Sequence, residues 1–117
     1  QPGDALQYCR PGVRKTVMRK LKKGQYRVGA ELDLHGLSAR SAQAALTGFI
    51  QDARAADTRC VRIIHGKGRR SSNRGPVIKP LAGAWLRRRE DVLAFCSARP
   101  VDGGTGALYV LLKARGY

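Results

Sequence analysis

Two stretches decide the fold: Glu31-Leu32-Asp33-Leu34-His35-Gly36 and Val61-Arg62-Ile63-Ile64-His65-Gly66-Lys67-Gly68. Each is a strand-like run ending in histidine and glycine, and the chain has no other histidine. Between them Ser38 suits a helix N-cap. Ala42, Ala45, Leu46, Phe49, Ile50 and Ala53 then recur every three or four residues, which gives a helix one apolar face. Strand, helix and strand read as a βαβ unit, with parallel strands and a right-handed crossover. Parallel strands end on the same edge of a sheet, where open α/β folds bind ligands. Asp33, His35 and His65 are therefore expected together on one edge.

Working outward, Val92 to Ala98 and Ala107 to Lys113 read as two more strands, after a helix over about Val77 to Arg88. Leu81, Ala84 and Trp85, with Ile78, form the expected buried stripe of that helix, and Pro80 is tolerable in its first turn. Gly48 weakens the preceding helix by about 1 kcal/mol against alanine, so close packing is expected there. Residues 1–12 read as a loose arm. Val13, Val17 and Leu21 then mark a thin apolar stripe on a short basic helix that Gly24 would stop. The predicted order is β-α-β-α-β-β, an α/β two-layer sandwich of one mixed four-stranded sheet with two helices. Residues 1–25 are expected as a basic N-terminal arm and helix, and 26–117 as one domain. A chain of 117 residues suffices for a single core.

Charge is the compositional outlier: 23 Lys plus Arg against 8 Asp plus Glu, a formal net of +15. Sixteen of the cations are arginine, whose planar fork suits bidentate phosphate contacts. Such a balance points to DNA or RNA as partner. A membrane is not expected, because no apolar run reaches the roughly 18 residues that span a bilayer. The basic face Arg14, Lys15, Arg19, Lys20, Lys22 and Lys23 reads equally as a solvated helix face or as an arm on nucleic acid. Three cysteines, Cys9, Cys60 and Cys96, show no C-x-x-C spacing. Cys60 and Cys96 lie in apolar runs, where a thiol is usually a small buried hydrophobe. A disulfide scaffold or zinc site is not expected, and the thiols fit a reducing cytoplasm. No signal-peptide pattern is read, and the chain opens on Gln1, as a piece of a longer protein would.

The chemistry gathers around the two histidines. Residues i and i+2 of a strand share a face, so Asp33 lies beside His35 and can fix its tautomer. Taken alone, a D-x-H pair also reads as a histidine capping a turn beside a solvated aspartate. His65 repeats the context, and Gly66 and Gly68 let backbone N–H groups approach an anion closely. Lys67, Arg69, Arg70 and Arg74 add a positive field, although the spacing is not that of a Walker A loop. Gly103, Gly104 and Gly106 read as a tight hairpin or as a further backbone contact to the polyanion. Strand order, which the sequence leaves open, decides between them. Two-metal nucleases need several clustered carboxylates, and Asp33 alone is well placed. His35 and His65 could instead act as base and acid on RNA, whose 2′-OH is a built-in nucleophile. On DNA a water has to be activated, which calls for a metal such as Mg²⁺ held by Asp33.

These residues resemble the Smr (small MutS-related) domain. The resemblance rests on Leu32 to Gly36, Ile63 to Gly68, Pro80 with Trp85-Leu86, Gly103 to Ala107 and Val110 to Lys113, and covers about residues 26–114. The basic segment from Val13 to Tyr26 is similar to the extension that precedes the domain in stand-alone bacterial Smr proteins of the SmrA and SmrB type. The resemblance implies a fold similar to the C-terminal domain of translation initiation factor three. It implies endonuclease activity as well, by nicking of DNA or by cleavage of RNA, including messenger RNA on stalled ribosomes. It ties the D-x-H motif to cleavage and the H-G-x-G motif to the adjoining site, here Asp33, His35, His65, Gly66 and Gly68. An endonuclease is thus the leading expectation. The alternatives are a non-catalytic nucleic-acid-binding module and a ribosome-associated RNA-binding factor.

Overall fold

A computed structural model of the chain describes residues 4–67 and 78–116. The parallel pair forms as expected. β2 (Ala30–Asp33) runs beside β3 (Cys60–Ile64), with Asp33 opposite Ile64, and α2 (Ala39–Ala55) crosses between them. Ser38 caps α2 by accepting a hydrogen bond from the Ser41 N–H at 3.1 Å. After α3 (Ile78–Arg88), β4 (Val92–Ser97) and β5 (Ala107–Leu112) pair antiparallel, and β5 also pairs antiparallel with β3.

The amino-terminal segment departs from expectation. Residues 7–9, read as part of a loose arm, form β1 (Gln7–Cys9), which pairs antiparallel with β4. The sheet therefore has five strands rather than four, in the order β1-β4-β5-β3-β2. The short basic helix α1 (Lys15–Lys22) is also part of the packing. Met18 and Leu21 are buried against Cys60, Ala94, Cys96, Tyr109 and Leu111. Alternate residues of the same strands, Val61, Ile63, Phe95, Leu108 and Val110, face Leu46, Ile50 and Leu86 of the other helices. Because strand side chains alternate in direction, α1 covers the sheet face opposite α2 and α3. The mixed α/β fold has a partial third layer, and β5 is buried on both faces.

Two helix details also differ. The buried residues of α3 are Ile78, Lys79, Ala82, Gly83 and Leu86, with Leu81, Ala84 and Trp85 only half-buried. The stripe is shifted because small residues let the helix approach the sheet: a Cβ on Gly83 would lie 3.6 Å from Leu6 and 4.0 Å from Phe95. At Gly48 close packing is absent, since a Cβ there would meet nothing within 4 Å. Cys60 and Cys96 are buried as read, and that burial pushes both thiols up to about 11.

Gly48→Ala should therefore stabilise the protein. With open space at the position, the gain is the helix-propensity difference, about 0.5–1 kcal/mol. Urea unfolding followed by circular dichroism reads it, and a destabilised variant would mean that hidden packing holds the glycine.

Candidate functional site

Strand β2 ends at Asp33, two residues sooner than expected, and His35-Gly36 forms a turn. Asp33 Oδ1 accepts from the His35 backbone N–H at 3.0 Å and contacts its Nδ1 at 2.6 Å. The pair thus arises from an aspartate-capped turn rather than from a strand pleat. A carboxylate can only accept, so Nδ1 carries a proton, and in the neutral form of the ring Nε2 holds the lone pair. The His35 side chain is 68% exposed and that of Asp33 48%. Burial raises the Asp33 pKa, but the two hydrogen bonds from His35 outweigh it and hold the carboxyl below its ordinary value.

His65 sits differently. It directly follows the interior strand β3 and is 3% exposed. Its Nδ1 lies 2.5 Å from the Gly66 carbonyl oxygen, so Nδ1–H donates there, and Nε2 is buried without a partner among the described residues. Burial lowers its pKa most, and nearby Lys79 adds to this against the Gly66 hydrogen bond. Lys79, also buried, donates through Nζ to the Asp4 carbonyl. The two histidines are therefore not an equivalent, equally accessible base and acid.

The connection before β5 does reach this edge. The Gly106 carbonyl accepts from the N–H groups of both His65 and Gly66, at 3.0 Å each. These two amides are thereby occupied, and the expected backbone cradle for an anion does not include them. Gly66 needs its small size and its φ of +83°, since a Cβ there would lie 3.3 Å from the Cβ of His35. A Cβ on Gly106 would meet the Lys67 Cγ at 3.1 Å, so the exposed Lys67 stem rests over that glycine. Gly103 links two short 3₁₀ turns, Pro100–Asp102 and Gly104–Gly106, and Gly104 opens the second, in place of the tight hairpin expected. Gly68, Arg69, Arg70 and Arg74 lie outside the described residues.

Sequence reasoning missed Arg62. Its guanidinium donates to Glu31 Oε2 at 2.6 and 3.2 Å and to the Asp102 carbonyl at 2.6 Å. It thereby joins β2 to the loop that carries Gly106. The available signal was a charged residue inside an apolar interior strand, which must be paired. Asp102 accepts from the Tyr109 hydroxyl and from Arg99. The Tyr109 bond is the main cause of the lowered Asp102 pKa. With Glu31 and Asp102 so engaged, Asp33 is the carboxylate left facing solvent beside a histidine. Among the described residues no group of three or more His, Cys, Asp or Glu could hold a metal ion. Asp33 with His35 falls short of a dedicated metal cage.

Comparison with known proteins places this geometry in a family. The Smr domain profile matches residues 32–113, and the chain belongs to the Smr domain family. It is 37% identical over 108 residues to "Probable DNA endonuclease SmrA" of Escherichia coli K12, covering 92% of this chain and 58% of that protein. It is 33% identical over 108 residues to "Ribosome rescue factor SmrB" of Tolumonas auensis, covering 92% of this chain and 59% of that protein. The chain thus spans little more than half the length of these relatives. Among solved structures it matches YdaL, a stand-alone small MutS-related protein from Escherichia coli. The TM-score is 0.82 at 36% identity, over 96% of this chain and 86% of that one. The Smr domain of Thermus thermophilus MutS2 matches with a TM-score of 0.63 at 31% identity, over 72% of this chain and 98% of that one. No described helix is long and apolar enough to cross a membrane.

The buried His65 gives stability a pH dependence of definite sign. Its folded pKa lies below the ordinary 6.5, so between the two values the unfolded chain binds the extra proton. Stability from this group is complete above about 6.5 and falls as the pH drops toward the folded value. Thermal melts of the parent and His65→Gln between pH 7.5 and 5, taken as rough limits around an imidazole, should show the shallower acid loss in the variant. Parallel curves would mean that His65 protonates equally in both states.

Proposed function

We propose that the chain is a nucleic-acid endonuclease of the Smr type, with Asp33 and His35 as the catalytic residues. The single observation that carries the reading is the Asp33–His35 contact of 2.6 Å on a histidine still 68% exposed. Asp33 orients the ring, and Nε2 is left to take a proton. On RNA that proton comes from the 2′-OH. Its oxygen then bonds to the adjacent phosphorus while the bond to the 5′ oxygen breaks, and the departing oxygen takes a proton from water. Lys67, exposed on the neighbouring loop, supplies positive charge to the pentacoordinate state. His65 serves as a positioning residue, its buried ring holding the backbone at Gly66 in place. The Gly-Arg stretch with Gly68, Arg69, Arg70 and Arg74 supplies further phosphate contacts in this reading, as do Gly103, Gly104 and Gly106 by shaping the adjoining loop.

A second reading, action on RNA in a ribosomal setting, is favoured by the relatives named ribosome rescue factor. The name of the SmrA relative favours DNA instead. Substrate choice is open to one experiment: end-labelled single-stranded RNA, single-stranded DNA and supercoiled plasmid, each with Mg²⁺ or with EDTA. RNA should be cut in EDTA, and a 2′-deoxy nucleotide at the scissile position should block cleavage. Cutting of the deoxy substrate that stops on chelation would replace the 2′-OH route with a metal-activated water.

Asp33→Ala with His35→Ala should lower cleavage by about 10²-fold or more, the usual worth of a general base. Affinity should stay within a few-fold, because most phosphate contacts come from other cations. Parental cutting by a folded double variant would displace the site from this edge.

A further inference from the structure

Most arginines that can be followed are engaged within the protein. Arg10 donates to the Val92 and Arg89 carbonyls, Arg59 to Leu112, and Arg115 to Ala55. Arg54 and Arg89 both pair with Asp91. Helix α1 is different. Arg14, Lys15, Arg19, Lys22 and Lys23 are exposed, and none makes an ion pair or side-chain hydrogen bond among the described residues. The helix contains no acid.

The helix dipole does not account for this charge. It favours cations in the last turn, where Arg19, Lys20 and Lys22 lie, but opposes them at the start. Arg14 is the N-cap residue and Lys15 begins the helix, with no acid in the first turn. Lys15 with Arg19, and Arg19 with Lys23, are like charges four residues apart, which repel on a helix. The unbound helix therefore carries an electrostatic penalty that a polyanion would relieve.

The helix is also fixed to the candidate edge. Met18 and Leu21 anchor it to the sheet, and at its end a Cβ on Gly24 would lie 2.6 Å from Arg99 Nε and 3.0 Å from the Tyr109 hydroxyl. Tyr109 bonds to Asp102, whose carbonyl holds Arg62, and the same loop ends at Gly106 under the His65–Gly66 backbone. The carboxyl end of α1 and the exposed histidine thus belong to one end of the sheet.

We propose that the outer face of α1 is a platform for the phosphate backbone of a nucleic acid. The strand crosses the α1 side of the sheet and continues past the Asp33–His35 edge. The proposal builds on the nucleic-acid reading of that edge, but its test reads binding alone. The probes are a single-stranded RNA and a DNA duplex of about 30 nucleotides, a length well beyond the phosphates that one helix face can reach. Binding is titrated with salt in the Asp33→Ala, His35→Ala background, so that cleavage plays no part. Adding Arg14→Gln, Lys15→Gln, Arg19→Gln and Lys23→Gln should reduce the slope of log K against log salt by about three, at roughly 0.7–0.9 per phosphate contact. Affinity in low salt should fall at least tenfold while the melting temperature holds or rises, as relief of like-charge repulsion requires. Should the fourfold variant melt early, the four single glutamine variants carry the test, each lowering the slope by about 0.7–0.9. An unchanged slope in folded variants overturns the proposal. So does loss of binding to phosphatidylserine vesicles with nucleic-acid binding intact, which would make the face a membrane contact. Absence of cleavage by the parent would sink the catalytic reading and leave this one standing.

Discussion

One carbonyl oxygen holds the candidate site together. Gly106 accepts the amides of both His65 and Gly66, using the two lone pairs that a backbone carbonyl offers. This pins the end of β3 to the start of β5 just where the loop must leave the sheet. Gly66 is thereby held in its left-handed conformation against the Cβ of His35. The position of the exposed histidine is therefore set from outside its own strand. Arg62 reinforces the arrangement from beneath, joining Glu31 of β2 to the Asp102 carbonyl at the far end of the same loop.

The two histidine motifs look alike in sequence, and the structure makes them unlike. The cause is strand order. β2 is an edge strand, while β3 lies between β2 and β5, so His35 in the turn after β2 meets water and His65 just after β3 is roofed over. Period and punctuation make the βαβ unit legible, because Ser38, the helical spacing and the two glycine-ended runs are local signals. Strand order is not local, and so neither the burial of His65 nor the arrival of Gly106 at the edge could be read from the chain. The same limit hides β1. Three residues, Gln7 to Cys9, carry too little pattern, and only pairing with β4 makes them a strand. In α3 Ile78 is buried as expected, but the rest of the buried face is rotated away from Leu81, Ala84 and Trp85. Close approach instead selects Ala82 and Gly83 and leaves Trp85 half-buried in the groove against α2.

The charge census needs the same correction. A formal net of +15 suggests a uniformly phosphate-seeking surface, yet many guanidiniums end on backbone carbonyls or on Asp91 and Asp102. Those contacts satisfy strand and helix ends that would otherwise lack a donor, and they fix loops in a chain with few acids. Arginine serves this purpose because its forked donors reach two acceptors at once. Arg10 does so at the Val92 and Arg89 carbonyls. The field left for a ligand is thus concentrated on fewer places than composition implies.

That concentration bears on how one exposed pair could act on a long polymer. An isolated Asp–His pair offers little affinity of its own. If the edge cleaves as proposed, it depends on cations placed elsewhere to hold the strand and on rigid connections that keep the strand in register with the Asp33–His35 pair. The Smr fold of this chain supplies such rigidity through hydrogen bonds among backbone groups and through Arg62 of β3. Under the proposed reading, positioning then resides in Gly106, Gly66 and Arg62, residues that exchange no proton. The exposed imidazole can be a short, local device because its frame is built from Arg62 of β3 and from the backbone that leaves β3 and enters β5.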